Sequence, residues 1–207
     1  MAVERVTKNK GKNTPGVDGV TWKTRAQKQQ AIQTLKKRGY RAQGLKRRYI
    51  KKKNGKLRPL SIPTMKDRAM QALYLQALQP IAETTADPDS YGFRQGRSTH
   101  EAIEQIALNL SAGGHNGHWI LEGDIKACVD EINHQWLSSN IPMDKQILHR
   151  WLDAGYMENK QWFPTTRGTP QGGIASPTLA NMTLDGMESV INKTLITQHQ
   201  PRIRLSG

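Results

Sequence analysis

RRYIKKKNGKLRPLSI, residues 47–62, reads as two strand-like runs folded around Asn54-Gly55. That dipeptide favours a type I′ hairpin turn, since both central positions need positive φ and Asn and Gly reach that region most easily. Lys51, Lys52, Lys53, Lys56 and Arg58 then crowd the loop end. Pro59 lacks a ladder N–H, which puts the second run at a sheet edge or a bend.

Working outward, residues 66–79 space Ala69, Met70, Leu73, Ala77 and Leu78 as a helix that Pro80 should end or kink. Upstream, residues 24–38 suggest a polar helix with Ala31, Ile32 and Leu35 inward, and residues 1–20 an extended, turn-rich arm. Downstream, Ser98 and Glu101 form a capping box before Ile103, Ile106, Ala107 and Leu110, the expected core face. Residues 113–117 are a glycine loop, and Trp119 to Ile125 reads as a buried strand. Residues 144–153 look helical, 162–164 form a short strand, and 168–173 are a loop. Ser176-Pro177 then opens a helix that should run to about Leu195. The pattern is mixed α and β, and poor in strands for a complete sheet.

Among the 207 residues, 31 are Lys or Arg and 17 are Asp or Glu, for a formal charge of +14. Residues 1–68 hold 21 basic and 3 acidic side chains, a net +18, whereas residues 69–207 hold 10 and 14, a net −4. Concentrated charge of this kind is an electrostatic footprint for a polyanion, most often nucleic acid. A solubilising tail is the plain alternative. The single cysteine, Cys128, excludes an internal disulfide framework. No apolar run approaches the ~18 residues of a membrane span, and the N-terminus lacks a signal-peptide core. The expectation is a cytoplasmic, nucleic-acid-associated protein without a membrane partner.

Three segments carry candidate chemistry. In EGDIKACVD, residues 122–130, strand alternation puts Glu122 and Asp124 on one face. An aspartate at a strand end can hold magnesium or merely cap the following turn; the segment alone does not choose. GTPQGGIASP, residues 168–177, is a glycine-rich loop entering a helix, where backbone can approach a ligand closely. Gln171 offers both a donor and an acceptor there, although an ordinary helix-entry loop would look the same. The basic hairpin can clamp phosphates, or simply be a solvated tip.

Taken together these stretches, with TPGVDGVT (14–21), SYGFRQGRSTHEAI (90–103) and GTPQGGIASPTLANMTL (168–184), resemble the reverse transcriptases encoded by group II introns, also called maturases. The resemblance runs from residue 14 to about 190. It implies an α+β fold of right-hand polymerase type, fingers and incomplete palm: residues 1–100 the N-terminal extension and fingers, 101–207 a partial palm. It implies that Asp124 is a catalytic, metal-binding carboxylate, with the Ile125 backbone carbonyl beside it. Lys52 and Arg58 would contact the incoming triphosphate, Gln171 and Gly172 would line the nucleotide pocket, and Val129 would screen the sugar 2′ position. Lys46, Arg47, Arg48, Lys51 and Lys53 would bind RNA. The implied reaction is RNA-directed DNA synthesis with Mg2+, on an RNA template and DNA primer with deoxynucleoside triphosphates. Family members also bind group II intron RNA and assist its splicing.

Two departures stand out. The family's Tyr-Ala-Asp-Asp is absent, and no adjacent Asp pair occurs in the sequence; the expectation is a truncated, catalytically incomplete fragment. Where the family has Gly-Cys-Phe-Asp-Asn, this chain has Ala127-Cys128-Val129-Asp130-Glu131. A non-catalytic RNA-binding module and a decayed remnant are the competing expectations. His115 and His118 lack a third ligand nearby in sequence for zinc, and His134 and Trp136 are expected to stabilise the next helix.

Overall fold

The computed structural model describes residues 1–111, 120, 122–169 and 172–196. Eight helices and four strands occur among them. The expected 113–117 loop, Trp119, Gln171, and the histidines His115 and His118 lie outside the described residues.

Two compact units interleave along the chain. The first comprises residues 1–80 and 127–180. Its sheet has the order β2-β1-β3-β4. β1 (Leu45–Lys51) and β2 (Leu57–Ile62) form the expected antiparallel hairpin, from Lys46 opposite Ile62 to Lys51 opposite Leu57. β2 lies at the edge, which Pro59 permits. The turn is not type I′. Gly55 donates to the Lys52 carbonyl at 3.0 Å, and only Gly55, not Asn54, has positive φ. That is a three-residue loop closed by a left-handed glycine. β3 (Tyr156–Glu158) runs parallel to β1, and β4 (Gln161–Phe163) pairs antiparallel with β3.

α1 (Ala2–Lys8) takes the start of the expected extended, turn-rich arm, and residues 9–20 keep turns and irregular backbone. Ala2 and Val6 are one turn apart and pack with Met65, Ala69 and Ala72 of α3 (Met65–Thr84), with Trp22, Leu35 and Ile174 at the margin. α2 (Arg25–Thr34) starts from a Thr24–Gln27 capping box; it buries Ala31 but exposes Ile32. α3 continues through Pro80 instead of ending there, and Leu73 and Ala77 face outward while Leu75 and Leu78 are buried. α5 (His134–Asn140) was not anticipated as a separate helix; Asn133 caps it. α6 (Lys145–Leu152), capped by Asp144, buries Ile147, Leu148, Trp151 and Leu152 as its spacing predicts.

The second unit comprises residues 81–126 and 181–207. α4 (Thr99–Leu110) has the expected Ser98–Glu101 capping box, but its apolar face is not core: Ile103, Ile106 and Leu110 are exposed. The expected helix from Ser176 breaks in two, α7 (Ser176–Leu184) and α8 (Met187–Ile196). Gly186, at φ +90°, makes the break, and its N–H donates to the Asp87 carboxylate. Arg94 is buried and donates to Ser90 Oγ, the Ala82 carbonyl and Asp185. Burial nevertheless pushes the Asp185 carboxyl above its usual range.

Of the strand expected at 119–125, the described residues 120 and 122–125 form none. Residues 122–125 have no regular secondary structure and are exposed. A strand needs a partner for its backbone groups, and the four described strands pair only with one another.

Candidate nucleic-acid interface

The base of the basic hairpin is fixed by two adjacent charges at the start of α3. Thr64 accepts from the Asp67 N–H at 3.1 Å and donates its hydroxyl to the Asp67 carboxylate at 2.7 Å. Tyr40 Oη–H donates to the same carboxylate at 2.7 Å and accepts from Trp151 Nε1 at 3.1 Å. This buried chain joins the segment before β1, α3 and α6. Desolvation raises both the Asp67 carboxyl and the Tyr40 phenol above their ordinary values. Arg68 turns the other way: its guanidinium donates to the carbonyls of Pro63, Gly11 and Thr14. It thereby holds the N-terminal arm, and Gly16 fits because a Cβ there would lie 2.7 Å from Thr64 Cα. Sequence reasoning missed this lock, although Thr64-x-x-Asp67 has the spacing of a helix cap.

Within the same unit, three predicted segments meet. The Thr169 N–H donates to the Val129 carbonyl, and the Gly168 N–H to that of Ile132, both at 2.8 Å. His134, the first residue of α5, donates Nε2–H to the Gly168 carbonyl at 2.7 Å. A Cβ on Gly168 would come within 2.4 Å of the Asp130 carbonyl oxygen. Four residues on, Gly172 lies against β2: a Cβ there would be 2.9 Å from the Ser61 carbonyl oxygen and 3.5 Å from Leu60 Cδ1. Gln71 of α3 accepts from the Ile174 N–H at 2.7 Å and seats the loop's exit. Val129, half-buried, and Gly172 are thus brought to one body with β2. Arg58 stands two residues before Leu60 on the same face of that strand.

The expected RNA-contact residues divide. Lys51, Lys52, Lys53 and Arg48 are exposed and Lys46 is half-buried. Arg47 is instead engaged within the sheet, its guanidinium stacked 3.8 Å from the centroid of Tyr156, which stacks in turn on Phe163.

Asp124 and Ile125 belong to the other unit and lie on an exposed, irregular segment. Among the described residues no group of three His, Cys, Asp or Glu side chains could hold a metal ion. Asp124 with one carbonyl is an incomplete ligand set for a hard divalent cation, which takes several oxygens. Ala127 stands in the left-handed region, at φ +54°.

Residues 50–201 match the family model described as reverse transcriptase (RNA-dependent DNA polymerase). The chain belongs to the reverse transcriptase family. Residues 1–35 match the N-terminal domain of reverse transcriptase, so α1 and α2 are part of that same architecture. The chain is 38% identical over 200 residues to the group II intron-encoded protein LtrA of Lactococcus lactis subsp. cremoris, covering 92% of this chain and 33% of LtrA. It is 35% identical to protein YkfC of Escherichia coli K12, covering 91% of this chain and 53% of YkfC. An uncharacterised 91 kDa protein in the cob intron of Schizosaccharomyces pombe is 37% identical over 77% of this chain and 20% of its own length. This reverse transcriptase chain therefore spans from a fifth to about half of these relatives. Reverse transcriptases as a family use divalent metal ions. Among the described residues no helix is long and apolar enough to cross a membrane.

Proposed function

We propose that this chain supplies the RNA- and nucleotide-facing part of a group II intron reverse transcriptase/maturase. In this reading residues 1–100 are the N-terminal extension and fingers, and 101–207 the first part of the palm. The observation that carries it is the basic hairpin with the glycine loop against its second strand. Exposed cations crowd the turn of the hairpin, and a loop whose backbone a ligand can approach lies against Leu60 and Ser61, nearer the base of the same hairpin. Lys52 and Arg58 take the triphosphate of a deoxynucleotide, Gly172 and Gln171 line its pocket, and Val129 lies on the sugar side. Lys46, Arg48, Lys51 and Lys53 contact phosphates of a group II intron RNA or of an RNA template paired to a DNA primer. Arg47 supports this surface through Tyr156. Asp124, with the Ile125 carbonyl, contributes one carboxylate toward Mg2+, and no catalytic step is assigned to that incomplete set.

A second reading, RNA binding without polymerisation, is favoured by one observation: the described residues lack a carboxylate cluster. Two assays on the full chain test these readings. Affinity for a group II intron transcript should fall steeply between 50 and 200 mM salt, as about 6–10 phosphate contacts would cause. Primer extension on an RNA template should be undetectable for the 207-residue chain. Extension abolished by Asp124→Ala would overturn the second reading; salt-insensitive RNA affinity would overturn both.

A further inference from the structure

One face of the four-stranded sheet carries, beside cations that the proposed function already uses, a tryptophan that it does not. Partnered residues in neighbouring strands direct their side chains to the same face. Lys46 of β1, Met157 of β3 and Trp162 of β4 therefore form a cross-strand row. Arg48 stands on the same face about 6.6 Å further along β1, at ~3.3 Å per residue. Its partner Leu60, and then Arg58, continue that face on β2. The opposite face holds Arg47, Tyr156 and Phe163, whose stacked rings are already engaged with one another.

Trp162 is held differently. Its indole lies against backbone. A Cβ on Gly155, which has φ +66°, would meet indole Nε1 and Cε2 at 2.5 and 2.6 Å. A Cβ on Gly44 would meet Cδ1 at 3.4 Å. The Nε1–H donates to the Ala154 carbonyl at 3.1 Å. Two glycines thus leave room for the ring, one hydrogen bond fixes its orientation, and it remains 55% exposed. An edge tryptophan needed only for packing would bury most of its large area. This one is fixed in place and open.

An open, oriented π surface beside cations on one sheet face suits unpaired nucleotides, whose bases stack on aromatic rings while the backbone follows positive charge. In a duplex the base faces are already stacked on each other and are closed to the ring. We infer that this face binds an unpaired stretch of RNA, one base stacked on Trp162 and its backbone crossing Lys46 and Arg48 toward Arg58. The inference rests on the proposal that the basic hairpin binds RNA, and it names the form of RNA taken and a residue that selects it.

The test is fluorescence anisotropy on the full chain with a labelled single-stranded oligoribonucleotide and with the same sequence as a blunt duplex. Trp162→Ala should weaken single-strand binding about fivefold or more and alter duplex binding by less than about twofold. The salt slope should not change, because the ring carries no charge. Trp162→Phe should retain most of the affinity. Lys46→Ala with Arg48→Ala should lower the single-strand salt slope by about one to two. Equal loss for single strand and duplex would overturn the inference. So would unchanged binding by Trp162→Ala while alanines at Lys51, Lys52 and Lys53 weaken both RNAs; the RNA-binding proposal would then survive alone. If neither set has an effect, both fall. A folding failure of Trp162→Ala is met by a second measurement, the emission lost between wild type and Trp162→Phe. That component should be quenched by the single strand, and an unquenched signal overturns the inference.

Discussion

Ala127 is one of four non-glycine residues with positive φ among the described residues. At φ +54° it occupies a region that costs a non-glycine residue about 1–2 kcal/mol, and the resemblance to group II intron reverse transcriptases implies glycine there. Its carbonyl nonetheless accepts from the Asp130 and Glu131 N–H groups at 2.9 and 3.0 Å, so the turn is held. Ala127→Gly should therefore stabilise the fold by about 1 kcal/mol, raising the Tm by about 2–4 °C for a chain of this size. A lower Tm in thermal unfolding would contradict that account. Asp67 makes a prediction in pH. Burial raises its carboxyl in the folded state above the ordinary 3.8. As pH rises from that value, the unfolded chain releases its proton first and binds fewer protons than the folded one, so stability falls until the folded group has also ionised. Asp67→Asn removes this decline. The Tm of the variant should gain on that of wild type as pH is raised from about 3.8 toward neutrality, and a difference independent of pH would refute the assignment. Tyr40→Phe should cost about 1–3 kcal/mol in a denaturant titration, since it leaves both Asp67 and Trp151 short of a partner.

At the scale of elements, α3 continues through Pro80, which cannot donate to the carbonyl four residues earlier. Pro80→Ala should restore that bond and stabilise the helix by up to about 3 kcal/mol; unchanged stability would mean that neighbouring packing already accommodates the ring. What could be read from the sequence follows the strength of the local signal. The hairpin was legible because Asn54-Gly55 separates two β-rich runs, and α6 because Asp144 caps four apolar residues at helical spacing. The turn type was not, since Asn54 can enter either turn and the three-residue loop is selected by pairing further down the ladder. β3 has only three residues, and no periodicity shows in so short a run. Residues 122–125 form no strand although they follow an apolar-rich run, because such a run specifies a strand only when another strand pairs with it. Val129, Gly172 and Arg58 were legible as separate motifs. Their meeting depends on the Thr169–Val129 bond and the Gly172–Ser61 approach, which span 40 and 111 positions and leave no local trace.

For the whole molecule, charge is the feature that ties sequence to function. Of the 21 basic side chains of residues 1–68, eight lie on a hairpin whose root is clamped by Asp67 and Arg68. Such a surface positions phosphates without reading bases, which suits a family that handles many sequences. Replacing Lys51, Lys52 and Lys53 together with alanine should weaken several unrelated RNAs alike and lower the salt slope by about two to three. A loss confined to one sequence would point to base readout instead. The most direct test is a crosslinking map: the full chain is irradiated with a group II intron transcript, and the modified peptides are identified by mass spectrometry. Crosslinks should concentrate on residues 46–58 and at Trp162 and be lost at high salt. Crosslinks confined to residues 81–126, with the hairpin unmodified, would contradict RNA binding by the hairpin face.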